Sequence, residues 1–235
     1  MKKFFVVVFP FLLLVSAQSA TPTPSVVAVV NGEEITRDQL DRFTDLSRIV
    51  LTIYQQFPRF AQVLVSTEEG KAFLKAYERD VLESIITWKL LVQEARRRGV
   101  AVPEDKLQAE VDRVLKSIMQ RNSLATEEEL AEAVVTQLGQ TLEEFKSMLR
   151  AEAEERFLVD LLKDEVTGGV SVSPEEVAAY YEENKDAFTD EAGGVKSLEE
   201  VSGKIEEELL QEKRDRVWSE FLKELRESAE VEIYL

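Results

Sequence analysis

Acidic side chains are the chemistry this sequence offers in quantity: 46 of its 235 residues are Asp or Glu, against 29 Lys or Arg, for a net charge of −17. It contains no Cys and no His. Disulfides, thiol nucleophiles, thiolate metal sites and imidazole general bases are therefore out of its reach. Carboxylates alone could do hydrolytic work, since a paired-carboxylate hydrolase needs only two of them across a cleft. The adjacent pairs beginning at Glu33, Glu68, Glu128, Glu143, Glu154, Glu175, Glu182 and Glu199 do not read that way. They fall in expected first turns or on exposed helix faces, where the helix dipole and water account for them. Arg96, Arg97 and Arg98 could form an anion site, but at the end of an expected helix they complement its C-terminal dipole. No Gly-rich phosphate loop of the Walker or Rossmann form is present, so the sequence points to no nucleotide, metal or other cofactor. An acidic surface repels nucleic acid and anionic lipid, and its plainest use is solubility.

The elements that must carry any function begin after a leader. Lys2 and Lys3 precede an apolar run from Phe4 to Val15 and the small residues of SAQSA, the form of a secretory signal peptide over residues 1–20, with cleavage expected after Ala17 or Ala20. A run of about 12 apolar residues is too short for a hydrocarbon core that needs about 20 in a helix, so stable membrane insertion is not expected. Without the leader the charge is 27 − 46 = −19. A Pro/Thr/Ser linker, residues 21–25, leads to VVAVV, then Asn31-Gly32, a strong hairpin signal, and a short return strand ending at Ile35. Thr36 with Gln39 makes a capping box for a helix carrying Leu40, Phe43 and Leu46 and running into the fifties.

One long helix is expected from Thr67 to Arg98, most apolar from Val81 to Val92, with Gly99 just beyond its end. Pro103 restarts a helix whose Leu107, Val111, Val114, Leu115, Ile118 and Met119 follow a single-face template. Capping boxes recur at Thr126, Thr141, Ser173 and Ser197, each opening a helix. The last of these runs to about Ser228, after which EVEIYL alternates as a strand with one buried face does. A lone strand is unstable. The terminal strand is therefore expected to pair with VVAVV, giving a mainly α fold: a multi-helix body with a small antiparallel β-sheet formed by the N-terminal hairpin and the C-terminal strand.

The order of these segments resembles a known family. VVAVVNGEEITRDQLDRF, VLESIITWKLLVQEARRRGVAVPEDKLQAEVDRVL, QLGQTLEEFKSMLRAEAEERFLVDLL and VSPEEVAAYYEENKDAF are similar to the N-terminal region of SurA and PrsA type extracytoplasmic folding factors. SLEEVSGKIEEELLQEKRDRVWSEFLKELRESAEVEIYL is similar to their closing helix and strand. The resemblance implies one chaperone domain over residues 26–235. In that family a parvulin prolyl isomerase domain is usually inserted after the segment matching YYEENKDAF. Here only the loop of residues 186–197 stands at that position, too short for the roughly 90 residues such a domain needs.

What the resemblance implies is an ATP-independent holdase of the periplasm or cell-envelope space, without isomerase activity, that binds unfolded exported or outer-membrane proteins in a hydrophobic helical cradle. Two other readings stand beside it: a prolyl isomerase family member, and a dedicated assembly or scaffold protein for one envelope partner. A homodimer exchanging the terminal strand is compatible with either binding role. The segment Ile49–Val65 is richer in apolar and aromatic residues than one short amphipathic helix needs, and Pro58 interrupts it. Ile53, Tyr54, Phe57 and Phe60 are the candidate client contacts, with Met119 and Met148 as adaptable neighbours. Core packing of all six is the competing expectation.

Overall fold

The computed structural model describes residues 25–189 and 194–235. The expected leader and all of the linker but Ser25 lie outside the described residues, as do residues 190–193 of the short loop. The chain forms two compact units: one runs up to Asp160 and takes in Glu230–Leu235, and the other is Leu161–Ala229.

The first unit is organised around a three-stranded antiparallel sheet. Strands β1 (Val26–Val30) and β2 (Glu33–Thr36) are joined by Asn31 and Gly32, whose φ values of 50° and 84° are the paired positive angles of a tight hairpin turn. Strand β3 (Val231–Ile233) lies on the other side of β1, with Val30 opposite Val231 and Ala28 opposite Ile233. The two ends of the described chain therefore meet, as the alternation of EVEIYL predicts. Asn31 fastens the junction: its N–H donates to the Glu230 carbonyl at 2.8 Å, and its side-chain oxygen accepts from the Glu230 N–H at 2.9 Å. Ala28, Val30 and Ile35 are fully buried, each branched side chain contributing on the order of 1.5–3 kcal/mol. The buried face expected of β3 is not there, since Val231 is half-buried and Ile233 is 38% exposed. β3 is an edge strand, and the helices packed on this sheet cover β1 and β2.

Helix α1 (Arg37–Thr44) starts on the expected capping box, Thr36 accepting from the Gln39 N–H at 3.2 Å and the Gln39 side chain accepting from the Thr36 N–H at 2.9 Å. It does not run into the fifties. Asp45 adopts a left-handed conformation (φ 47°) that ends α1, and the chain restarts as α2 (Leu46–Gln56) and again, at Pro58, as α3 (Pro58–Ser66). Leu40 is buried, whereas Phe43 is exposed.

The 30-residue α4 (Glu68–Arg97) is the long helix expected, capped by Thr67, with Leu82, Ile86 and Leu90 in the core. Trp88 departs from the expectation of an almost wholly apolar segment: it is 38% exposed, and its indole N–H donates to Glu155 at 3.2 Å. Glu94 is buried near the helix end, where Arg97 and Arg98 donate to its two oxygens at 2.6 and 2.7 Å. Arg96 is 3.9 Å from Glu155. The Arg triplet is thus engaged with neighbouring acids.

After Gly99 (φ 74°), α5 (Glu104–Asn122), α6 (Glu127–Leu138) and the first part of α7 (Leu142–Thr167) complete the unit. Ile118, Leu130, Val134 and Phe145 form a buried cluster from these three helices. Arg156 crosses from α7 to Glu110 on α5 at 2.7 Å.

The second unit holds the end of α7, α8 (Pro174–Glu183), a 3-10 turn (Lys185–Phe188) and α9 (Leu198–Ser228). Its core is Val177, Tyr181, Phe188, Val201 and Ile205. Further along α9, Trp218 and Phe221 stack at 5.4 Å and the Lys163 ammonium lies 5.9 Å from the Trp218 ring. The short loop is pinned at its base: Thr189 and Val195 form an antiparallel bridge, Lys196 donates its N–H to the Phe188 carbonyl at 2.9 Å, and the Tyr181 hydroxyl donates to the Lys196 carbonyl at 2.7 Å.

Candidate functional site

Apolar side chains concentrate on the exterior of the first unit in α2, α3 and the elements beside them. Helix α2 has no fully buried residue: Leu46, Val50 and Ile53 are half-buried, while Ile49, Leu51 and Tyr54 are exposed. Its sequence is apolar enough for a core helix, yet α3 covers only part of it. Phe57 cannot continue the helix because Pro58 follows it, and it takes an extended φ of −137°. The chain turns there, and α2 and α3 are in contact.

A second local cause fixes how α3 lies. Ala61 and Leu64, three residues apart, are its buried side chains, and both belong on the side that meets α4. That approach needs Gly70: a Cβ there would stand 2.2 Å from the Leu64 carbonyl oxygen and 2.6 Å from its carbon. Thr67 locks the corner, its hydroxyl donating to the Val63 carbonyl at 2.8 Å and accepting from the Gly70 N–H at 3.1 Å. With one narrow side used for packing, α3 leaves Phe60, Val63 and Val65 in solvent. Tyr77 of α4 donates to the Thr44 carbonyl at 3.3 Å, so the end of α1 is tied to the same scaffold.

Of the residues singled out from the sequence, Tyr54, Phe57 and Phe60 are 58%, 63% and 58% exposed, and Ile53 is half-buried. Met119 and Met148 are elsewhere: both are half-buried against the cluster of Ile118, Leu130, Val134 and Phe145. Phe43, Leu51, Val63, Val65 and Phe73 are also exposed and were missed by sequence reasoning. The signal available for Leu51, Val63 and Val65 was charge; Phe43 and Phe73 lie outside the run that carries it. From Leu46 to Thr67 there is no acid at all, the longest such run after Glu33 in a chain with 46 of them, and the only charged residues are Arg48 and Arg59. Such a surface carries no carboxylate pair, His or Cys. It can bind by burying apolar area, with aromatic rings as the largest contributors. Among the described residues no group of three or more acids could hold a metal ion, and no helix is long and apolar enough to cross a membrane.

Comparison with known proteins places this architecture. The sequence profile of the SurA-like N-terminal domain matches residues 2–158. The foldase protein PrsA of Clostridium botulinum strain Langeland is 27% identical over 186 residues, 79% of this chain and 53% of its own length. PrsA of Clostridium kluyveri is 25% identical over 167 residues, 71% of this chain and 48% of that protein. The chain thus spans about half the length of these relatives. A solved structure from the pair PEB4 and Cj1289, SurA-like chaperones of Campylobacter jejuni, aligns with 89% of this chain and 99% of its own, at a TM-score of 0.48 and 14% identity. With its profile matched over more than half of the residues, the chain belongs to the family of the SurA-like N-terminal domain.

Proposed function

We propose that this chain is an ATP-independent holdase that works outside the cytoplasm and shields unfolded exported proteins, outer-membrane proteins among them, on the apolar surface of α2 and α3. The observation that carries the reading is the exposure of Tyr54, Phe57 and Phe60 on elements that a monomer could have buried. Soluble proteins rarely leave so much aromatic surface uncovered without a binding use. The leader-like residues 1–20 support a location beyond the membrane, and the names of the Clostridium relatives support work on folding. Catalysis of prolyl isomerisation has less behind it, because the loop between the 3-10 turn and α9 has no room for an inserted domain. Client release would follow from the client's own folding, which removes the apolar segments that bind.

The test replaces Tyr54, Phe57 and Phe60 together by Ser and measures suppression of aggregation of a chemically unfolded outer-membrane protein, alongside thermal unfolding. Suppression should fall at least severalfold while the melting temperature stays within a few degrees, since exposed side chains carry little of the stability. Unchanged suppression, or collapse of the fold, would count against the assignment.

A further inference from the structure

The charge of the α2–α3 surface points to which clients it favours. Resting on the reading of that surface as the client-holding site, we infer that it selects apolar segments flanked by acidic residues over apolar segments flanked by basic ones. The chain as a whole carries −17, and no other stretch after Glu33 goes so long without Glu or Asp. Leu46–Thr67 carries two cations and no acid. Both cations border exposed apolar positions. Arg48 is three residues before Leu51 and Arg59 four before Val63, the spacings at which side chains are neighbours on a helix surface. Arg48 is ion-paired with Asp45 yet 64% exposed, and Arg59 is exposed with no ion-pair partner among the described residues. A client laid across Leu51, Tyr54, Phe57 and Phe60 therefore meets guanidinium groups at the edge of the apolar contact. Acids on the client would find a bidentate partner there, and Lys or Arg would find only like charge.

A competing field must be weighed. The acidic remainder of the chain attracts basic clients from a distance. At physiological ionic strength, however, the screening length is about 8 Å, so charges in contact outweigh charges across the molecule. Below that ionic strength the long-range field grows, and the preference for acidic flanks should shrink.

The experiment titrates the purified chain with two fluorescein-labelled peptides that share one Leu/Phe/Val core and differ only in three Asp or three Lys at each end, followed by anisotropy in 0.15 M NaCl. The acidic peptide is expected to bind about fivefold tighter, the effect of two exposed charge contacts. In 1 M NaCl, where screening acts over about 3 Å, the two affinities should converge while binding persists through the apolar core. Substituting Arg59→Glu should remove or reverse the difference, chiefly by weakening the acidic peptide. Equal binding in 0.15 M NaCl, or a preference for the basic peptide, overturns the inference and leaves the holdase reading standing. Failure of both peptides to bind at either salt concentration removes the surface as a client site and the inference with it.

Discussion

Glu94 is a carboxylate buried near the C-terminal end of α4, and its charge has to be compensated on the spot. The Arg97 hydrogen bond, aided by Arg98 and opposed by burial, lowers its pKa from 4.5 to about 2. A carboxyl held below its unfolded value stabilises the fold fully above pH ~4.5, and that contribution disappears as pH falls through about 2. Because Arg97 is largely exposed, the contribution is on the order of 1 kcal/mol rather than the full shift. Protonation of the many exposed acids works the other way in the same window, relieving the repulsion of a −17 chain. The two effects separate in a comparison: urea midpoints of Glu94→Gln and the unaltered chain should differ at pH 7 and converge near pH 2. A difference that stays constant down to pH 2 would mean Glu94 acts through shape and not charge.

At the scale of elements, α3 depends on the absence of one methyl group. In Gly70→Ala the added Cβ overlaps the Leu64 backbone, which cannot rotate away, so α3 must move off α4 at a cost of about 1–3 kcal/mol, read as a lower urea midpoint. The same change at Gly203, mid-helix in α9 with open space around it, should instead stabilise by about 0.5–1 kcal/mol. If both substitutions shift stability in the same direction, the close approach is not what places α3. This contrast also marks what the sequence could and could not reveal. Thr36, Thr67, Thr141, Ser173 and Ser197 announce their helices because a cap is chemistry within four residues. Asp45 gives no such notice, since a left-handed Asp looks like any helical Asp until its neighbours are placed. The exposure of Tyr54, Phe57 and Phe60 was equally undecidable: apolar content says that a helix wants cover, and only the narrow Ala61–Leu64 contact shows how little it receives. Met119 and Met148 were grouped with them on side-chain flexibility alone, and their packing against Phe145 was set by tertiary structure.

For the molecule as a whole, the consequential contact is between its ends. Asn31 and Glu230 are 199 residues apart in sequence and share hydrogen bonds in both directions, so the first unit is not complete until the last six residues are in place. Sequence separations of this size raise the loop-closure entropy that folding must overcome before β1 gains its second partner. What β3 contributes is backbone pairing more than side-chain burial, because Glu232 pairs with Val29 and Tyr234 donates its N–H to the Val27 carbonyl at 2.9 Å while Ile233 remains 38% exposed. Deleting residues 231–235 leaves β1 and β2 as a two-stranded sheet on the helices, with a newly unpaired edge on β1. At about 1 kcal/mol net for each of the few hydrogen bonds lost, the deletion should cost about 2–4 kcal/mol and lower the melting temperature by roughly 5–15 °C. Ile233→Ser keeps the ladder and should change stability by less than about 0.5 kcal/mol, as surface substitutions do. If Ile233→Ser matched the deletion, side-chain burial would be the bond between the ends. A deletion with no effect on melting would mean that the helices hold β1 without its C-terminal partner.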